Sequence, residues 1–221
     1  MKRSLLLVAP VALLASCARE DTPKTGVTPV ATEAPPGEYR LDKSHASLVF
    51  KVDHITYSDY TGSFDTFDAT LTFDPAQPEK MSVIATIDVG SLDIPSPPAG
   101  FLDELKSPAW INAVGFPSMT YRSTAVSLTG PDTARVDGEL EFRGFRAPVA
   151  LDVTFNGGYA DFPPSDPNAR IGFSAKGALK RSDFGVTLAI PTEEAPVGVG
   201  DDVSFEIEAE FNGPPTPVAP Q

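Results

Sequence analysis

Residues 203–211 read VSFEIEAEF. Val203, Phe205, Ile207, Ala209 and Phe211 fall on one side of an extended chain, and Ser204, Glu206, Glu208 and Glu210 on the other. Side chains alternate across a strand with a period of two, so this stretch predicts a β-strand with one face in a core and one in water. The same alternation recurs along the chain. RVDGELEF turns Val136, Gly138, Leu140 and Phe142 inward, and PVALDVTF does so for Val149, Leu151, Val153 and Phe155. FDATLTF contributes Phe67, Ala69, Leu71 and Phe73, and SVIATIDVG contributes Val83, Ala85, Ile87 and Val89. IGFSAKGAL supplies Ile171, Phe173, Ala175, Gly177 and Leu179, and LVFKVDH supplies Leu48, Phe50, Val52 and His54.

One apolar face per strand means an antiparallel sheet with one wet side. DPAQPEK, TGPDTA, RGFRAP and NGGY separate the strands with turn residues. The fold class is therefore all-β, a meandering sandwich or a closed up-and-down barrel, and closure has the advantage of removing sticky edges. One helical insertion is expected near residues 97–113, PPAGFLDELKSPAWINA, started by Pro97 and Pro98 and limited by Pro108.

The N-terminus has a different character. Lys2 and Arg3 precede ten residues, 5–14, that are apolar apart from Pro10. That is the length of a signal-peptide core and too short to cross a bilayer, which takes about 20 apolar residues. The run ends in Leu14-Ala15-Ser16-Cys17, and Cys17 is the only cysteine. This order resembles the bacterial lipobox. It implies that residues 1–16 are a lipoprotein signal peptide and that Cys17 carries a diacylglyceryl group and an N-acyl chain, enough for stable anchoring. Ala18, where aspartate would signal retention in some bacteria, favours the outer membrane. The expected location is the cell envelope, with the domain facing the periplasm. Residues 17–37 read as a disordered tether and 213–221 as a loose proline-rich tail. Between them, residues 38–212 form one domain, which the mature chain cannot cross-link with an internal disulfide.

Composition narrows the chemistry. The formal net charge is −13, and loss of Lys2 and Arg3 with the signal peptide makes it −15. An acidic surface argues against nucleic acid, whose affinity comes from neutralising phosphates. There are two histidines, His45 and His54, and no HExxH, CxxC or GxSxG spacing. A zinc site takes at least three protein ligands and favours His or Cys, so no metal or cofactor is expected; a Ser–His–Asp arrangement is spatial and stays open to a count, but no stretch reads as a strained nucleophile turn, and the expectation is a protein that is not an enzyme. His54 lies in phase with Phe50 and Val52, either as a hydrogen-bonded barrel histidine or as a polar group inside a ligand cavity. His45, in DKSHAS, reads as a turn residue before the strand, near a barrel rim. The inward set includes Ala69, Ala85, Gly138, Ala175, Gly177 and Ala209. Small residues among large ones either fit a taper or leave a channel, and on the residues alone a packed core is the better reading.

A resemblance alters that balance. Asp42, His45, Ser47, Phe50, Val52, His54, Gly62 and Phe64 resemble the opening signature of the YceI-like family of bacterial polyisoprenoid-binding proteins. FLDELKSPAWINAVGFPSMTYRS is similar to its central segment, VDGELEFRGFRAPVALDVTFNG to its third block, and KRSDFGV, with Arg181, Asp183, Phe184 and Gly185, to its fourth. The resemblance implies a lipocalin-like barrel of about eight strands whose apolar tunnel holds an isoprenoid-type lipid. Phe50, Val52, Phe73, Leu140, Leu151, Phe155, Phe173, Ala175 and Phe205 would line it, with His54 and Tyr121 as polar exceptions. Phe101 to Glu104 depart from the family, which more often has Arg, Asp, Glu and His there. The expected function is an envelope-anchored protein that sequesters or carries such a lipid. The alternative is a scaffold with a filled core, acting on a protein partner that the sequence does not name.

Overall fold

The computed structural model describes residues 27–162 and 166–215. Ten strands follow in chain order: β1 (Gly37–His54), β2 (Ser58–Phe64), β3 (Phe67–Phe73), β4 (Ser82–Asp88), β5 (Leu92–Asp93), β6 (Ser118–Leu128), β7 (Thr133–Phe142), β8 (Phe145–Tyr159), β9 (Asn168–Lys180) and β10 (Val199–Pro215). A short helix, α1 (Phe101–Lys106), lies between β5 and β6. Eight of the strands, β1, β3, β4 and β6 to β10, form a ring of antiparallel neighbours that closes through β10 on β1. β2 pairs with the second half of β1 and carries β5 on its far edge. The expected lipocalin-like barrel is therefore closed and eight-stranded.

β1 is longer than the sequence suggested. It runs through DKSHAS as a bulge rather than beginning after a turn there. Leu41 faces Phe211 and Ala46 faces Ala209, so the four residues Asp42 to His45 stand against Glu210 alone. The bulge inserts three surplus residues, an odd number, and so exchanges the two faces of the strand. Leu41 points inward before it, and Leu48, Phe50, Val52 and His54 point inward after it.

The inward residues follow the alternation read from the sequence, but the barrel is hollow. Towards the start of β1, Tyr39, Leu71, Phe73, Ile171 and Phe211 pack into one buried cluster, and towards its end Val89, Leu140, Phe142, Val149 and Phe184 pack into another. Phe50, Val52, Phe155, Phe173 and Phe205 face inward yet are only partly buried, because they border empty space. The packed core favoured by the residues alone is not what forms. Part of the reason is where the rings go. A Cβ on Gly62 would lie 2.5 Å from Phe50 Cζ, and Gly138, Gly177 and Gly213 are covered in the same way by Tyr121, Phe205 and Tyr39. Each ring settles onto a glycine of a nearby strand rather than into the lumen.

Three segment boundaries also move. The insertion at 97–113 is helical only over six residues, after Gly100 enters at φ 78, and then continues as turns. Residues 27–36, read as part of the tether, lie against the barrel. The Val30 amide donates to the Pro131 carbonyl at 2.7 Å, the Tyr39 hydroxyl donates to the Pro35 carbonyl at 2.7 Å, and Ala34 is 2% exposed. At the other terminus β10 continues past Asn212, pairing Pro215 with Asn168. The signal peptide, Cys17 and residues 216–221 lie outside the described residues.

Candidate functional site

The lumen is a cavity of about 580 Å³, within the usual size of a small-molecule site, about 300–1,000 Å³. All eleven residues singled out from the sequence, Phe50, Val52, His54, Phe73, Tyr121, Leu140, Leu151, Phe155, Phe173, Ala175 and Phe205, border it. They come together because the strands around the ring present the same inward phase at matched register: Phe50 stands opposite Phe205, Phe205 opposite Gly177, and Gly177 opposite Leu151. The cavity spans the barrel. Pro29, Val30, Met81 and Pro131 border it at the end where β1 begins, and Phe101, Leu105, Trp110 and Arg181 at the end where β1 finishes.

Nearly all of this wall is hydrocarbon, so its few polar groups are conspicuous. The Tyr121 hydroxyl reaches the Val136 and Val149 carbonyls, each at 3.4 Å. Burial, and then the nearby Asp137 carboxylate, push its pKa up to about 12, so it stays an uncharged hydroxyl. His54 borders the lumen with its ring 5.4 Å from that of Tyr60, and Tyr60 meets Phe101 of α1 edge-on at 6.0 Å. His54 thus connects the wall to the capping helix.

Two residues at this capped end were not singled out as ligand contacts. Arg181 is 8% exposed. Its Nε donates to the Gly200 carbonyl, its Nη1 to those of Val186 and Leu188, and its Nη2 to that of Val199, at 2.7 to 3.1 Å. Burial pulls its pKa down, and the more distant Asp201 carboxylate opposes this. Trp110 sits in the turns after α1 with its ring 5.7 Å from the guanidinium carbon. Its indole nitrogen is buried and has no acceptor among the described residues. Arg181 stood in the KRSDFGV block, but alternation could not place it, because it lies just past the end of β9. Trp110 lies in a non-repetitive insertion and carried no periodic signal.

His45 is away from the lumen, on the bulge of β1. Its Nδ1 lies 2.9 Å from Asp42 Oδ2, and Arg170 Nη1 lies 3.1 Å from that oxygen and 2.6 Å from Glu210 Oε2. Asp42, His45 and Glu210 have the proximity of metal ligands, but a guanidinium already stands among them, and the arrangement is that of an ion-pair cluster pinning the bulge to β9 and β10. The Ser44 hydroxyl, then the His45 imidazole, hold the Asp42 carboxyl well below the usual carboxylate range.

With this geometry in hand, comparison with known proteins is decisive. Residues 39–211 match the YceI-like domain. The chain belongs to the YceI-like family. Among its relatives, a UPF0312 protein of Pseudomonas fluorescens is 33% identical over 173 residues, covering 76% of this chain and 85% of that one. Protein YceI of Salmonella newport is 35% identical over 154 residues, covering 68% and 76%. The crystal structure of Burkholderia cenocepacia BcnA matches this YceI-like barrel with a TM-score of 0.64 at 25% identity, over 77% of this chain and 98% of that one. A polyisoprenoid-binding domain from Saccharophagus degradans matches at 0.56 over 81% and 100%; at 11% identity that likeness shows the shared fold.

Proposed function

We propose that this YceI-like protein holds the chain of an isoprenoid-type lipid inside its barrel and is tethered to the envelope, facing the periplasm at the outer membrane, through lipidated Cys17. The observation that carries the reading is the lumen, which is hollow, bordered by hydrocarbon along the barrel, and kept open by rings resting on glycines. Transfer of apolar surface from water into such a space gains about 25 cal/mol per Å², so a long unfunctionalised chain binds by burial alone. A binding role needs no catalytic group, and membership of a family with a polyisoprenoid-binding structural neighbour suggests binding rather than turnover. The anchor rests on the order of charge, apolar core and Leu-Ala-Ser-Cys at the N-terminus.

Native mass spectrometry of protein purified from its host tests the first part. The expected result is added mass that transfers to organic solvent and that a prenyl lipid of similar length restores after delipidation. A protein that is ligand-free as isolated and takes up no prenyl lipid would overturn it.

A further inference from the structure

We infer that the end of the barrel where β1 begins is a membrane-docking face, seated on the leaflet that holds the acyl chains of Cys17, so that the lumen opens directly into that leaflet. This deepens the anchored, lipid-binding reading and rests on it.

Chain length gives the orientation. Residues 27–36 lie against this end of the barrel, with the Val30 amide on the Pro131 carbonyl and with Pro29 and Val30 at the rim of the cavity. Cys17 is therefore joined to the rim by the twelve residues Ala18 to Pro29, which span at most about 40 Å when fully extended. β10 runs from one end of the barrel to the other in 17 residues, about 55 Å along the strand and about 40 Å along the axis at the usual tilt. To turn the capped end to the bilayer, the linking segment would have to run the whole height of the barrel with every residue stretched. With the other end down it needs almost no reach.

The surface at that end suits a bilayer. Phe162 is 62% exposed and Val30 44%. The Phe162 ring lies 5.8 Å from that of Tyr159, a side chain of the amphipathic kind that settles between headgroups and hydrocarbon. The rim of the cavity here is Pro29, Val30, Pro75, Met81, Leu128 and Pro131. A prenyl chain drawn from the leaflet would pass from one apolar surrounding to another, without the cost of exposing it to water.

Charge separates the two ends. The capped end also exposes Tyr57, Val114 and Val197, but its turns and insertion expose Asp103, Glu104, Asp183, Glu193 and Glu194 and, among the described residues, no Lys or Arg. The turns and terminal segment of the docking end expose Glu33, Glu79 and Asp132, with Lys80 beside Glu79. A surface bearing phosphates repels the first set more strongly than the second.

Cys17 is the sole cysteine and Trp110 the sole tryptophan. The mature protein can therefore be coupled through Cys17 to a maleimide lipid in phosphatidylcholine vesicles and read by quenching with chain-brominated phosphatidylcholine. Trp110 reports on the capped end, and Phe162→Trp adds a reporter at the docking end. Brominated lipid is expected to leave the wild-type emission unchanged and to reduce the emission that Phe162→Trp adds at least twofold. Phe162→Asp should slow uptake of octaprenol from these vesicles at least threefold, with uptake from a cyclodextrin solution as in the wild type. Quenching of Trp110 alone reverses the orientation, and quenching of both reporters or of neither shows that no one end is docked; each overturns the inference. Phe162→Asp that takes octaprenol from vesicles at the wild-type rate, or is slowed equally from both sources, overturns it as well. Octaprenol taken up from neither source by the wild type removes the lipid-binding reading and leaves docking to be decided by the quenching. Because the coupling is chemical, a failure of the natural anchor is read separately, by fractionation of Cys17→Ser.

Discussion

The ring of Phe205 occupies the place that a side chain on Gly177 would need. The two residues are partners across β9 and β10, and a Cβ at 177 would collide with the Phe205 ring and stand 2.9 Å from the Ala150 carbonyl. Gly177→Val should therefore drive the Phe205 ring into the lumen. Overpacking of this kind costs about 1–3 kcal/mol, and uptake of a prenyl lipid should fall at least tenfold. Thermal unfolding with a lipid titration checks both; normal stability with normal uptake would mean that the ring does not hold the lumen open.

Ala175 separates the two kinds of small residue. It borders the cavity opposite Ile207 and Val153, whereas Gly177 is already covered. Ala175→Phe adds a ring to empty space, so the delipidated protein should lose less than about 1 kcal/mol, below the range typical of overpacking a filled core. Long-chain lipid binding should be blocked. A severe loss of stability in differential scanning calorimetry would show that no free space exists there.

Trimming the protein to residues 38–212 should destabilise it. The cut removes buried Ala34 and the Pro35 carbonyl that accepts from Tyr39, and it takes away Gly213, onto which the Tyr39 ring packs. A loss of about 2 kcal/mol shifts the melting temperature of a domain this size by about 4–8 °C. Equal melting temperatures for 27–215 and 38–212 would show that these flanks contribute nothing.

Asp42 gives the fold an acid-sensitive element. Its carboxyl titrates lower in the folded state than in the unfolded chain, first through the Ser44 hydroxyl and then through His45. A depressed carboxylate contributes stability that is complete above its unfolded value, about pH 3.9, and is lost as the pH falls through the lower folded value. Wild-type stability should decline below about pH 4, and Asp42→Asn should be less stable at pH 7 with a shallower decline in acid. Parallel pH profiles of the two proteins would exclude Asp42 as the source.

Cys17→Ser should release the protein from the membrane fraction. No described helix is long and apolar enough to cross a bilayer, and the anchor is expected at this residue. A mutant that still sediments with membranes would place the attachment elsewhere.

The inward phase of the strands was legible because alternation is a local property: Val203 to Phe211 and Val136 to Phe142 could be oriented one strand at a time. Hollowness was not, since it depends on how a ring on one strand meets a glycine on another, as Phe205 meets Gly177 and Tyr121 meets Gly138. The bulge was also hidden. Polar Asp42 to His45 look like a turn, and only pairing with β10 shows that the strand runs through them. Arg181 and Trp110 come together from β9's end and the α1 insertion, a long-range meeting with no periodic trace.

The surplus residues of that bulge set a rule for insertions and deletions. Remove one of the four between Leu41 and Ala46, and the nine residues Ala46 to His54 turn over: Lys51 and Asp53 enter the lumen while Phe50, Val52 and His54 go out. Remove two, and every side chain keeps its side. Changes of length here are therefore expected to be accommodated in even steps, while an odd step inverts the lining of the lumen on this strand.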